Sequence, residues 1–123
     1  MRLATWNVNS LRTRVERVTA FLERWDIDVL AMQEIKCRPD QLPREPFEAA
    51  GYEVAAHGLN QWNGVAIASR IGLDDVVTSF PGQPGWAAKP EAEPTVEAWA
   101  LGATVGAASG ATPVRLWSLY VPN

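Results

Sequence analysis

Glu34 follows directly on the apolar run Val29–Met32, and Asn7 and Asn9 follow an earlier short run, Leu3–Trp6. In layered αβ proteins, ligands gather at the carboxyl ends of parallel strands. If the two runs form parallel neighbours, Asn7 and Glu34 lie side by side. A carboxylate and a neutral amide oxygen are hard ligands. They suit Mg2+, which takes one or two protein carboxylates, keeps several waters and binds substrate phosphate. Zinc is a poor fit, because Cys37 and His57 are the only soft or imidazole candidates nearby in type. A bland reading stands beside this one. A glutamate after a strand is more often a turn residue or a surface partner, here of Lys36, and asparagine is a common turn residue. Spacing alone leaves both readings open.

The elements that would position these groups follow from periodicity. Arg2–Asn7 reads as a strand. Thr13–Trp25 reads as a helix, with Thr13 and Glu16 as a capping box and Val15, Val18, Phe21, Leu22 and Trp25 on one face. Val29–Gln33 is a continuous apolar run, as expected of a strand covered on both faces. After a proline-broken loop, Pro39–Pro46, a short helix at Phe47–Ala50 is stopped by Gly51. The remainder predicts strands at Tyr52–His57, Val65–Ser69, Asp75–Phe80, Val96–Thr104 and Val114–Val121, with Pro81–Pro94 a surface loop and Gly106–Pro113 a hairpin connection. Strand, helix, strand, then a β-rich stretch indicates an α+β architecture with helices outside a sheet.

The 123 residues suffice for one compact domain, and the 47% hydrophobic and 20% charged fractions are those of an ordinary globular protein. No apolar stretch approaches the roughly 18 residues of a membrane span, so no membrane partner is expected. One cysteine, Cys37, cannot form an internal disulfide, which fits a reducing cytoplasm. The net charge of −3 is a poor footprint for binding nucleic acid by bulk electrostatics alone, although a bound cation would add positive charge that this sum omits. Six tryptophans are many for this length. Most are expected in the core, with a minority free to stack on bases.

Four segments, in order, resemble a known family. Thr5-Trp6-Asn7-Val8-Asn9-Ser10-Leu11-Arg12 resembles the opening motif of exonuclease III and the related abasic-site endonucleases, and Gln33-Glu34-Ile35-Lys36 their second motif. Trp62-Asn63-Gly64-Val65-Ala66-Ile67 looks like their next strand, and Leu119-Tyr120-Val121-Pro122-Asn123 like a segment near the middle of the family. The resemblance implies that Glu34 ligates a catalytic Mg2+ (Mn2+ substituting) and that Asn7 lies beside it, arranging metal and nucleophile. It implies that Asn9 contributes near the metal, that Tyr120 points its hydroxyl at the scissile phosphate, and that Asn123 contacts substrate phosphate. Gln33 and Lys36 fall at the margin of the site. Arg12 and Arg14 are candidates to meet a DNA backbone, beside the plain reading of a solvated helix start. Trp99 departs from the pattern, since the family commonly has arginine there; His57 does not match the family's catalytic histidine, and nothing in sequence marks Cys37 as activated.

The implied activity is Mg2+-dependent hydrolysis of DNA phosphodiester bonds during repair, as a 3′–5′ exodeoxyribonuclease and abasic-site endonuclease acting on double-stranded DNA with abasic sites or 3′ ends. The implied fold is two sheets packed face to face with helices outside, which takes about twice this length. Residues 1–123 therefore correspond to the N-terminal half of one domain, half of a four-layer α/β-sandwich with one mixed sheet and helices on its outer face. The chain stops directly after an apolar strand, which predicts truncation. The family's other half supplies further aspartates, an asparagine and an aspartate–histidine pair, so the isolated chain is expected to be inactive and to self-associate through an exposed sheet face. Two alternatives remain: a superfamily phosphatase acting on small phosphoesters, and an inert or complementation-dependent fragment.

Overall fold

The computed structural model describes residues 1–87, 89–110 and 112–122. Seven strands and two helices follow in the order β1 (Leu3–Asn7), α1 (Leu11–Arg24), β2 (Val29–Gln33), α2 (Arg44–Ala49), β3 (Glu53–His57), β4 (Val65–Ser69), β5 (Leu73–Val77), β6 (Ala100–Val105) and β7 (Val114–Leu119). The first four strands form a mixed sheet ordered β1-β2-β4-β3, and the last three an antiparallel sheet ordered β5-β6-β7. β1 and β2 are parallel, with Asn7 opposite Gln33.

β2 explains why an unbroken apolar run was needed. Leu30 and Met32 face the helices and pack with Leu11, Val18, Leu22 and Phe47. Val29 faces the other way, into a second cluster with Val65, Ile67, Leu101, Ala103 and Val105 between the two sheets. All of these side chains are buried, and each large aliphatic one contributes roughly 1.5–3 kcal/mol by leaving water.

The half-sandwich reading and the α+β class hold, with one difference: the strands are divided between two sheets instead of lying in one. The turn after β4 makes the division. The buried Ser69 hydroxyl donates to the Gly72 carbonyl at 2.7 Å and accepts the Ile71 N–H at 3.2 Å. Gly72, at φ 107°, turns the chain so that β5 leaves β4 and pairs with β6. The inner face of the mixed sheet, expected to be bare, is covered by the second sheet. Exposed apolar side chains remain, among them Val77, Phe80 and Leu119 on or beside the second sheet.

Several local expectations shift. α1 begins at Leu11, two residues before the expected start, with Ser10 at its N-cap position. No Thr13–Glu16 capping box forms; the Thr13 hydroxyl donates instead to the Ser10 carbonyl at 3.2 Å. α2 begins at Arg44, inside the expected loop, because Pro46 falls in its first turn, where a missing N–H costs nothing. The last three strands have shifted bounds, since β5 bulges between Asp74 and Val77 and β6 begins only at Ala100. Trp86, within the expected surface loop, and Thr95, just beyond it, pair as an isolated bridge.

The tryptophans overturn their expectation most clearly. None of the six is fully buried. Trp6 packs edge-on against Phe21 at the sheet border. Trp117 lies over Gly102, where any Cβ would stand 2.8 Å from its ring. Trp25, Trp62 and Trp86 are more than half exposed, at 54%, 70% and 53%. The buried side chains are mostly small or aliphatic, joined by Phe47 and Tyr52.

Candidate active site

The parallel pairing of β1 with β2 continues past the ends of both strands. The Val8 N–H donates to the Gln33 carbonyl at 3.0 Å, Ser10 to Glu34 at 2.8 Å, and Leu11 to Ile35 at 3.1 Å. On the other side, Ile35 and Lys36 donate to the Gly64 and Asn63 carbonyls at 3.2 and 2.9 Å. Residues 34–36 are thus gripped between the loop entering α1 and the residues leading into β4. Gly64 makes this approach possible: it sits at φ 107°, and a Cβ there would lie 2.8 Å from Ile35 Cγ1. The backbone pays in strain, with Asn9, Ser10, Glu34 and Lys36 at φ 45°, 84°, 53° and 55°. Such non-glycine outliers persist only where the surroundings over-determine them, and they cluster at functional sites.

This scaffold brings four of the expected residues together. The Asn7 amide donates to Glu34 Oε1 at 2.9 Å. The Asn7 oxygen accepts the Asn9 N–H at 3.2 Å, closing a side-chain turn. Lys36 Nζ donates to Asn9 Oδ1 at 2.6 Å and stands 3.6 Å from Glu34 Oε2. Asn7 therefore acts here through its nitrogen, as an orienting group for Glu34. Tyr120 follows β7 and is anchored by its N–H, which donates to the Trp99 carbonyl at 2.8 Å. Burial first, then the Glu34 charge and a hydrogen bond toward Glu34, raise the phenol above its ordinary value.

Arg12 reaches the margin of this cluster by donating to the Lys36 carbonyl at 3.2 Å, and Arg14 by donating to the Asn9 carbonyl and, at 3.0 Å, to Thr13 Oγ1. Both tie the strained loops together from the exposed start of α1. Asn123 lies outside the described residues. His57 is elsewhere, at the end of β3, and burial lowers its pKa. Cys37 is buried, and burial raises its thiol pKa, the opposite of activation.

The donor set fits a hard cation. Glu34 Oε2 and Asn9 Oδ1 converge on one point, now taken by the Lys36 ammonium, whose charge stands in for a cation there. One carboxylate with amide oxygens and waters is a usual Mg2+ environment. No described helix is long and apolar enough to cross a membrane, and no group of three or more His, Cys, Asp or Glu side chains converges among the described residues.

Two features escaped the reading of the sequence. Gln33, placed at the margin, spans the two sheets: its amide donates to Ser118 Oγ and to Thr5 Oγ1, both at 3.1 Å. Asn63, noted only as part of a motif, donates to Glu97 at 3.4 Å, and both line a cleft of about 750 Å³ beside Tyr120. The Asn63-Gly64 pair was the available signal, since such a pair marks a turn but does not reveal what lies across it.

Comparison with known proteins identifies the fold and the family. Residues 4–122 match the model of the endonuclease/exonuclease/phosphatase family. Over 81 residues, 66% of the chain, the sequence is 36% identical to exodeoxyribonuclease III of Haemophilus influenzae, and the match spans 30% of that protein. The structure superposes on the 3′-5′ exonuclease NExo of Neisseria meningitidis with TM-score 0.77 and 33% identity, covering 98% of this chain and 41% of that one. An AP endonuclease from Archaeoglobus fulgidus superposes with TM-score 0.71 and 34% identity, covering 88% and 38%. The chain thus spans less than half the length of these relatives. With Asn7, Glu34 and Tyr120 brought together at the ends of three strands and a family match running almost end to end, this chain belongs to the endonuclease/exonuclease/phosphatase family.

Proposed function

We propose that the chain carries the metal-binding half of a DNA-repair phosphodiesterase site, of the exodeoxyribonuclease and abasic-site endonuclease type. The observation that carries this reading is the convergence of Glu34, oriented by Asn7 at 2.9 Å, with the Tyr120 hydroxyl beyond the end of β7. Glu34, with Asn9 beside it, would hold Mg2+, or Mn2+ in its place. When bound, the ion supplies charge stabilisation to phosphoryl oxygens. Asn7 holds the Glu34 carboxylate in one orientation, and Tyr120 donates to a phosphate oxygen as charge builds there. Lys36, Arg12 and Arg14 add positive charge at the rim for a DNA backbone. The setting proposed is cytoplasmic, and the substrate double-stranded DNA with an abasic site or a 3′ end. Among the described residues, no group of three or more His, Cys, Asp or Glu side chains gathers at Glu34 to activate a water. The chain alone is therefore proposed to bind without turning over, and to self-associate through Val77, Phe80 and Leu119.

The test is fluorescence anisotropy with a duplex bearing one abasic site, run beside a cleavage assay on the same duplex. Mg2+ is expected to tighten binding, Glu34→Gln to remove that response, and no cleavage to follow. Binding indifferent to Mg2+ and to Glu34 would overturn the site; robust cleavage would overturn the inactivity. Preferential hydrolysis of inositol phosphates would favour the small-phosphoester alternative.

A further inference from the structure

The cleft beside Tyr120 is lined by Trp62, Trp86 and Trp99, with Asn63 and Glu97. Three indoles at one opening are unusual in a chain whose core contains none. Trp62 and Trp86 are largely exposed, so water wets faces that normally seek cover. Two polar atoms of these lining residues are buried and have no hydrogen-bond partner among the described residues: the Trp99 indole nitrogen, a donor only, and Asn63 Oδ1, an acceptor. Buried polar atoms are usually paired, and unpaired ones ask for an occupant. A flat, π-faced occupant with one acceptor and one donor on its edge would satisfy both atoms and cover the indoles.

We propose that this cleft takes an unpaired nucleobase, from the nucleotide next to the phosphate held at Glu34 and Tyr120. This rests on the proposed phosphodiester reading, because Tyr120 belongs to both places and so couples them. The Lys36 N–H also donates to the Asn63 carbonyl at 2.9 Å, tying the cleft wall to the metal-site loop. Stacking supplies affinity from any base. The Trp99 N–H and the Asn63 oxygen meet an acceptor and a donor, which every base edge offers. The cleft therefore senses the presence of a base more than its identity, and favours frayed or single-stranded ends over a closed duplex.

The experiment compares two labelled single strands of equal length and charge: an oligothymidylate, and the same sugar–phosphate chain carrying tetrahydrofuran residues without bases. Anisotropy titration of the full chain is expected to show the base-bearing strand binding tighter by roughly 5- to 100-fold, the range that stacking of one base supplies. Trp99→Phe, which keeps a ring and removes the N–H, should lower that ratio, and Trp62→Ala, at a largely exposed position that folding does not need, should also lower it. Addition of the base-bearing strand should shift the Trp99 indole N–H resonance, assigned by its loss in Trp99→Phe. Equal binding of the two strands overturns the cleft and leaves the phosphate site standing. Binding of neither strand by folded protein also overturns the cleft, and the abasic duplex, titrated alongside, shows separately whether the phosphate site stands.

Discussion

Gln33 and Ser118, 85 residues apart, meet between the two sheets, where the Gln33 amide donates to Ser118 Oγ at 3.1 Å. The same hydroxyl donates to the Met32 carbonyl at 2.8 Å. Ser118 is buried, so this pair fixes the distance between the strand that ends at Glu34 and the strand that ends at Tyr120. Ser118→Ala is expected to remove one partner of the half-buried Gln33 amide and one of the Met32 carbonyl, at a cost of roughly 1–3 kcal/mol. Urea denaturation measures it, and an unchanged midpoint would show that the link is idle.

On the proposed reading, the Lys36 ammonium and a bound cation compete for one place. Lys36 Nζ stands 3.6 Å from Glu34 Oε2 and 2.6 Å from Asn9 Oδ1, the two oxygens proposed to hold the ion. Lys36→Met should therefore tighten Mn2+ binding, while Asn7→Ala, which frees Glu34 to rotate, should weaken it by about 10- to 100-fold. Mn2+ electron paramagnetic resonance titrations give both values; a weaker site in Lys36→Met would reverse the assignment of Lys36.

Gly64 carries a packing constraint and a backbone constraint together. With φ at 107° and Ile35 Cγ1 2.8 Å from where a Cβ would stand, Gly64→Ala should cost at least about 1–3 kcal/mol and displace residues 34–36. Thermal unfolding reads the first effect and Mn2+ affinity the second. A variant with wild-type values for both would mean that the loop moves aside freely.

Acid sensitivity should centre on Asp28. The Arg2 N–H, donating at 2.6 Å, is the main cause that lowers its pKa below the ordinary 3.8, with Arg70 helping. A carboxyl whose pKa is depressed on folding stabilises the fold above its unfolded value, and this is lost as pH falls through the folded value. Stability should thus fall below about pH 4, and Asp28→Asn should flatten that part of the profile. Denaturation midpoints between pH 2 and pH 6 follow it, and parallel profiles for the two proteins would remove Asp28 from the account.

Much of the site was legible from short-range signals. Val29–Gln33 and Val65–Ser69 appear with the bounds their apolar runs indicate, because a strand buried on both faces leaves an unbroken signature. Asn7, Asn9, Glu34, Lys36 and Tyr120 were recognisable from four ordered motifs. Residue types could not decide whether Glu34 was a turn residue or a ligand, since a carboxylate after a strand serves either purpose. The parallel register, with Asn7 opposite Gln33, decided that Glu34 would meet Asn7. The division into two sheets was equally hidden, because it depends on the Ser69–Gly72 turn and on β5 choosing β6 as its partner. The aromatic cleft was hidden for the same reason. Periodicity and turn chemistry act over a few residues, whereas Trp62, Trp86, Trp99 and Tyr120 come together only when strands distant in sequence pack. The sequence by itself determined most of the elements, the family and the candidate groups for a cation; tertiary pairing alone decided which of them meet, and left Trp62 and Trp86 largely in water beside the site.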